Sequence, residues 1–283
     1  MSDALRITQG TFGRVAILDM DRSLVRHAHP HCHVLLKLDG DDTQFLVGQS
    51  IARLTATSAV LVNAWETHAY VHNPSRQNAL ILALYIEPTW LEGFRANWSA
   101  SAGAGFFGSS TGAITPKISH FARSLTEEMM RADVNPIEQE RLLSELMIAV
   151  IERFTCWQTV ATSQSGNITD FRIRRAIKLM RADPAKVTDM SFVAREAGLS
   201  RAHFFRLFEQ GTGLNPAVFL NAIKVEMAVD AVGSGGEKLM SIGRRLGFSA
   251  SPHFTRFFRD HVGVAPREFR AVLRASQADA GPF

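Results

Sequence analysis

One pattern occurs twice near the end of this 283-residue chain, and it constrains the fold more than any other feature. Met190–Gly213 reads MSFVAREAGLSRAHFFRLFEQGTG, and Met240–Gly263 reads MSIGRRLGFSASPHFTRFFRDHVG. Each copy opens on Met-Ser and runs into a short amphipathic helix. Each then reaches a glycine, Gly198 or Gly247, where a left-handed turn is expected. Ser200 or Ser251 follows, placed to cap the next helix, and Pro252 falls at the first helical position of the second copy. Between the copies, Pro216–Val232 reads as a further helix. Helix, turn and helix at this spacing, used twice, imply two compact three-helix units.

The helix after each cap has two distinct faces. Phe204, Leu207 and Phe208 share one side of the first and are expected in its core, leaving Ala202, Phe205, Arg206 and Glu209 outside. In the second, Phe254, Phe257 and Phe258 point inward, while Pro252, Thr255, Arg256 and Arg259 point out. A short helix with an outward arginine in its first turns suits entry into the DNA major groove. Arginine can bond guanine O6 and N7 bidentately, and an exposed apolar group can touch the thymine methyl. The competing reading is a plain helical bundle with solvated arginines.

Charge separates along the chain in the same sense. Residues 1–166 hold 13 Lys/Arg against 16 Asp/Glu, whereas residues 167–283 hold 18 against 11. Only the back half is therefore expected to meet a polyanion such as double-stranded DNA.

The front half has another period. Arg14–Leu18, Val34–Leu38, Gln44–Val47, Ala59–Val62 and Ala79–Ile86 are short apolar runs separated by turn-rich pieces such as DGDD at 39–42, which predicts an all-β sandwich or small barrel. Ser99–Gly112 reads as a loop. Helical spacing then begins behind Pro116 (Ile118, Phe121, Ala122, Leu125, Met129). It continues through Leu142–Phe154, a pair suited to covering the barrel or to forming a dimer. TVATSQSGN at 159–167 reads as an interdomain linker.

Histidines crowd this front half. RHAHPHCHVLLKLDG at 26–40 places His27, His29, His31 and His33 on one side if the segment is a strand. His68 and His72 lie near the next such segment. Converging imidazoles in a small barrel suit a divalent transition metal. The same region reads equally as an organic-effector pocket, with His31, Trp65 and Tyr70 as lining candidates, although Trp65 and Tyr70 also suit a core. Cys32 is expected to be a half-buried thiol.

On these residues the chain is similar to a known family. AREAGLSRAHFFRLFEQGTGLNPAVFL and SIGRRLGFSASPHFTRFFRDHVGVAPREFR resemble the DNA-binding domain of the AraC/XylS transcription regulators. The Gly247-Phe248 pair, the Phe254…Phe258 pair and Pro266-x-x-Phe269-Arg270 all fall at family spacing. The resemblance implies two recognition helices in successive major-groove segments, joined by a rigid helix. It makes Ala202, Phe205, Arg206, Ser251, Pro252 and Arg256 the base-facing candidates, and Arg201, Arg244, Arg245 and Arg259 the phosphate-facing ones; the outward-pointing Thr255 is a further DNA-binding candidate. Lys224 and Met227 depart from the arginine-rich linker helix usual in the family. The front half resembles the cupin-like effector domain that many members carry. In cupins two histidines, a glutamate and a distant histidine hold metal. Here His27 and His29 match, His33 stands at the glutamate position, and His68 is the distant match. Asn63 and Trp65 replace the usual proline and glycine.

The expected architecture is therefore an N-terminal all-β cupin-like barrel with a helical extension and a C-terminal all-α double helix-turn-helix domain. The divisions are 1–110 for the effector-sensing barrel, 111–160 for a helical connector with possible dimerisation, 161–169 for the linker and 170–274 for the DNA-binding domain. The expected activity is transcription regulation in response to a small effector, with metal one candidate. Double-stranded DNA, the effector, RNA polymerase and a second copy are the expected partners. A metal-dependent cupin-type enzyme fused to a DNA-binding tail is the alternative, weakened by the lack of an acid–base partner beside the histidines. The one cofactor this reading admits is that divalent transition metal. Two cysteines, no apolar run near the roughly 20 residues that span a bilayer, and no secretory pattern at the first residues point to the cytoplasm.

Overall fold

The computed structural model describes residues 3–155, 170–187 and 189–279. The linker expected at 161–169, with Cys156 and Trp157, lies outside them. Six strands form one sheet in the order β1 (Asp3–Gly10), β2 (Gly13–Met20), β8 (Ala79–Ile86), β3 (Cys32–Gly40), β6 (Ser58–Val62) and β9 (Thr111–Ala113). A second sheet runs β5 (Ser50–Leu54), β4 (Thr43–Val47), β7 (His68–Val71). All pairings are antiparallel. The larger sheet takes its last strand, β9, from residues just past 110, so the expected loop at 99–112 ends by re-entering the sheet. Its first residues belong to a 3-10 turn, Ala96–Ala102.

The central strands are apolar on both faces because both faces are covered. Val15, Ile17, Cys32, Val34, Leu36, Ala59, Leu61, Leu82, Leu84 and Ile86 point outward, to a helical hairpin of α2 (Pro116–Met130) and α3 (Pro136–Phe154). Alternate residues (Ala16, Leu18, Leu35, Val60, Val62, Ile81, Ala83) point into the barrel. Near-continuous apolar runs are what two-sided burial demands. The Leu142–Ile151 stripe of α3 is thereby committed to its own sheet. A short helix, α1 (Pro88–Glu92), follows β8.

The described remainder is helical. It contains α4 (Phe171–Ala182), α5 (Met190–Glu196), α6 (Arg201–Thr212), α7 (Pro216–Gly233), α8 (Leu239–Arg245), α9 (Ser251–Val262) and α10 (Pro266–Asp279). The repeat reaches further than the two sequence blocks. Phe208 meets Phe219 of α7 with ring centroids 5.4 Å apart, and Phe258 meets Phe269 of α10 at 5.6 Å. Each unit is therefore three helices closed by a Pro-x-x-Phe helix, and α7 also bridges the two.

The turns of the two units match bond for bond. Leu199 N–H donates to Ala194 O at 2.9 Å, as Phe248 N–H donates to Gly243 O at 2.9 Å, and the glycines between stand at φ +70° and +85°. This is the Schellman end of a helix, which needs a left-handed residue. A Cβ on Gly198 would meet nothing within 4 Å, whereas one on Gly247 would lie 3.0 Å from Ala185 Cα. Gly198→Ala should thus cost about 1–2 kcal/mol for the left-handed backbone alone. Gly247→Ala should cost clearly more. Urea unfolding of the two variants checks this, and equal losses would contradict the close approach.

Candidate nucleic-acid interface and histidine cavity

α6 and α9 are the candidate recognition helices. Phe204, Phe208, Phe254 and Phe258 are fully buried and hold each helix to its unit, as expected, while Leu207 and Phe257 are only half-buried. Ala202, Arg206, Ser251, Pro252 and Arg256 are exposed, and Phe205, Thr255 and Arg259 are partly so. Among the described residues, Arg206, Arg244 and Arg256 form no ion pair, so their guanidinium donors face solvent. Arg201 donates to Ser191 Oγ at 3.2 Å and lies over the Phe205 ring. Arg245 is held by Glu237 at 2.9 Å, and Arg259 stands 3.7 Å from Asp260.

The expected cap of the second helix differs. Ser200 accepts from His203 N–H at 3.4 Å and caps α6. Ala250, not Ser251, occupies the cap position of α9, and no side chain caps it. The reason is a one-residue insertion in the second turn. Met190 and Leu239 both open their first helices, and Gly198 matches Gly247, an offset of 49; from Arg201 and Ser251 onward the offset is 50. The Met-Ser match seen in the sequence is therefore one residue out of structural register. Ser251 and Pro252 become the first two helical residues, where the missing proline N–H is harmless.

The histidines separate into a cluster and one outlier. Pro30 and the end of β3 at Cys32 prevent residues 27–31 from continuing the strand, so the four imidazoles do not share one face. His31 leaves the cluster. Its Nε2 donates to Glu87 Oε1 at 2.8 Å and its Nδ1 lies 3.7 Å from Glu226 of α7. That bond holds the Glu87 carboxyl below its ordinary range, while burial raises Glu226. His27 instead pairs with His68 in a small antiparallel bridge, and His29 O accepts from Trp65 N–H at 2.8 Å.

The cluster has fixed tautomers. His27 Nδ1 lies 2.8 Å from Val25 O, His29 Nδ1 3.1 Å from His31 O, and His68 Nδ1 3.0 Å from Glu66 O. A carbonyl only accepts, so each Nδ1 carries the proton and each Nε2 presents a lone pair. The Nε2 atoms of His29 and His68 are buried without a partner, as is Nδ1 of His33. Burial drives the imidazoles of His27, His29 and His33 well below the ordinary histidine range and takes His68 down to about 4, so all four are neutral at pH 7. One ring nitrogen from each of His27, His29 and His68 lies within 4.8 Å of the others. Nitrogens around a tetrahedral zinc ion stand about 3.3 Å apart, given Zn–N bonds near 2.0–2.1 Å. Small ring rotations would close the set, and backbone carbonyls on the far nitrogens are the usual outer partners of metal-bound histidines. The donor set fits a transition metal. His33 is adjacent, with ring centroids 5.0 Å from His29 and 5.5 Å from His68.

His27, His33 and His68 line one wall of a barrel cavity otherwise apolar (Leu18, Leu35, Phe45, Ile81). Its free space admits little more than a water or a bare ion. The other expected effector residues stand elsewhere. Tyr70 is packed against Phe45, and Thr43 Oγ1 donates to its hydroxyl at 3.3 Å. Trp65 sits between the domains, stacked on Phe219 at 5.0 Å. Trp65 also has φ +62°, at the turn position where glycine is preferred, so the stack offsets a strained backbone. Cys32 is fully buried rather than half-buried, and burial pushes its thiol up to about 12.

The two units dock on the barrel through equivalent positions. Trp65 covers Phe219 of the first, and Arg14 lies over Phe269 of the second at 5.8 Å and over Tyr85 at 4.0 Å. Ala4 N–H donates to Glu268 at 3.1 Å, and Arg6 pairs with Asp279 at 3.4 Å. These contacts join residues far apart in the chain, and only the apolar character of Trp65 signalled any of them.

Residues 13–148 match a family profile described as an AraC-like ligand binding domain, and residues 193–271 match a helix-turn-helix domain. Together these profiles cover both halves of the chain. The chain belongs to the AraC/XylS family. Among curated family members, the transcriptional regulator ArgR of Pseudomonas aeruginosa is 27% identical over 107 residues, 38% of this chain and 32% of that protein. The activator RhaS of Escherichia fergusonii is 30% identical over 108 residues, 38% and 39% respectively. These and similar matches span 32% to 55% of the relatives' own length. Apo ToxT K231A from Vibrio cholerae shares the two-domain fold over 95% of this chain and all of its own, with a TM-score of 0.56 at 13% identity. ToxT bound to unsaturated fatty acid aligns over 91% of this chain and 94% of its own, with a TM-score of 0.52 at 12% identity. Among the described residues, no helix is long and apolar enough to cross a membrane.

Aromatic pairs of this kind contribute about 0.5–1.5 kcal/mol beyond their buried area. A double-mutant cycle with Trp65→Leu and Phe219→Leu, read by chemical unfolding, should return a coupling in that range. Strict additivity would mean the stack does not hold the domains.

Proposed function

We propose that the chain is a DNA-binding transcription regulator whose β-domain takes a small effector and whose α6 and α9 enter successive major-groove segments. The observation that supports it is the pair of exposed helix faces carrying unpaired Arg206 and Arg256 on two copies of one unit. Successive segments on one face of B-DNA lie about 34 Å apart, and α7 joins the units as a single 18-residue helix. Family membership supports the same reading. Arg206 with Ala202 and Phe205, and Arg256 with Ser251, Pro252 and Thr255, are assigned to base edges. Arg201, Arg244, Arg245 and Arg259 are assigned to phosphates, Arg245 exchanging Glu237 for phosphate on binding.

RNA polymerase and a second copy are the further partners we assign. The inner stripe of α3 is spent on its own sheet, so a dimer formed by the hairpin has to use its outer face, where Ile137 is exposed.

A duplex enriched by the protein from a random-sequence library supplies the probe. Arg206→Ala and Arg256→Ala should each lose about 1–3 kcal/mol on that duplex, mostly through one base position, with little change on random DNA. Arg244→Ala should weaken both alike and lower the salt slope by about one. Failure to enrich any sequence would overturn specific recognition.

A further inference from the structure

Helix α6 presents an aromatic ring on the face assigned to base edges, and three contacts hold that ring in place. Phe205 is half-buried and packs on the core of the first unit. Its neighbour Phe204 meets it edge-on, with ring planes at 88° and centroids 6.0 Å apart. The guanidinium carbon of Arg201, one turn earlier, lies over the ring 5.2 Å from its centroid, an arrangement in which cation and ring attract. Arg201 is fixed in turn, since its Nη1 donates to Ser191 Oγ of α5 at 3.2 Å.

Phe205 stands three residues after the exposed Ala202, so the two share a face of the helix. Ala202 carries only a methyl, which leaves the ring as the long apolar group of that face. The second unit lacks the pair. The offset of 50 puts Ser251 at the place of Arg201 and Thr255 at the place of Phe205.

A phenyl ring makes no conventional hydrogen bond to a base edge, so it does not choose between donors and acceptors. The apolar mark in the major groove is the C5-methyl of thymine. 5-Methylcytosine carries the same methyl on the same ring carbon, whereas uracil and cytosine carry hydrogen there. A ring already immobilised loses little conformational freedom on touching that methyl, so most of the apolar gain is kept. A guanidinium has five N–H donors, and the bond to Ser191 leaves others for the phosphate assigned to Arg201. We propose that Phe205 reads the C5-methyl of a pyrimidine under α6, and that Arg201 is the positioning residue that holds the ring for it. Cytosine at that place is then bound more tightly when it is methylated, so a covalent mark on the DNA changes the occupancy of the site. The inference deepens the regulator reading by naming the base class that the first recognition helix takes, and it rests on that reading.

The test uses the full chain and the duplex it enriches from a random-sequence library. Each thymine in the patch protected under α6 is replaced in turn by deoxyuridine, which removes a methyl and nothing else. At one thymine, losing the buried methyl should weaken binding about fourfold. A cytosine–guanine pair placed there should bind about fourfold tighter with the 5-methyl than without it. In Phe205→Gln both ratios should fall to about one, as the loss of a single apolar contact requires. In Arg201→Gln both should shrink, alongside the drop of about one in salt slope expected from a lost phosphate contact. Each ratio compares two duplexes on one protein, so a variant that is merely less stable leaves it unchanged. Equal binding of thymine and deoxyuridine throughout the patch, or a patch without thymine, would overturn the methyl reading. A methyl effect that survives in Phe205→Gln would overturn the assignment to Phe205, and unchanged ratios in Arg201→Gln would overturn its positioning role. If no duplex is enriched, the regulator reading fails; if one is enriched and the methyl makes no difference, only this inference fails.

Discussion

The sheet β2-β8-β3-β6 has to bury both of its faces, and the rest of the molecule is arranged by that need. One face takes α2 and α3 from its own domain. The other lines a barrel whose interior continues into the core of the second helical unit, through Val225, Val229, Val262, Val264 and Phe269. A barrel closed by the DNA-binding domain is a different object from two domains on a tether. The helices that close its mouth share one apolar core with the barrel wall.

Polar groups at that junction are few and specific. Arg14 is buried between Tyr85 and Phe269, with Tyr85 taking its cation on the ring face. His31 links Glu87 of the barrel with Glu226 of α7. Trp65 accepts a left-handed backbone and rests on Phe219. Each arrangement carries a desolvation or strain cost that the docked state offsets. Such contacts make docking responsive, because removing one partner leaves the other exposed to its full cost.

The helical half was legible in the sequence because its signals are local. Glycines at the turns, Pro at helix starts and Phe pairs four apart each act within a few residues. The errors at the start of α9, Ser251 as cap and Pro252 as first helical residue, came from aligning Met190 with Met240 instead of Leu239; the inserted residue at Ala250 shifts the register only after the turn. The barrel was legible where strands are buried on both faces. β1, β5, β7 and β9 were missed because their apolar content is low or their length short, and their strand state depends on partners far along the chain. Within the histidine-rich segment His27 and His29 come together with His68, whereas His31 turns to Glu87, since Pro30 ends the alternation. Glu226 gave no sign of its approach to His31, which exists only once the domains meet.

Hydroxyl-radical footprinting of the full chain on its enriched duplex tests the central claim, that two equivalent units read one face of DNA. The account predicts two protected patches on each strand, one helical turn or about 10 base pairs apart, with Arg256→Ala loosening only the patch under α9. A single patch, or two that weaken together whichever arginine is removed, would contradict it.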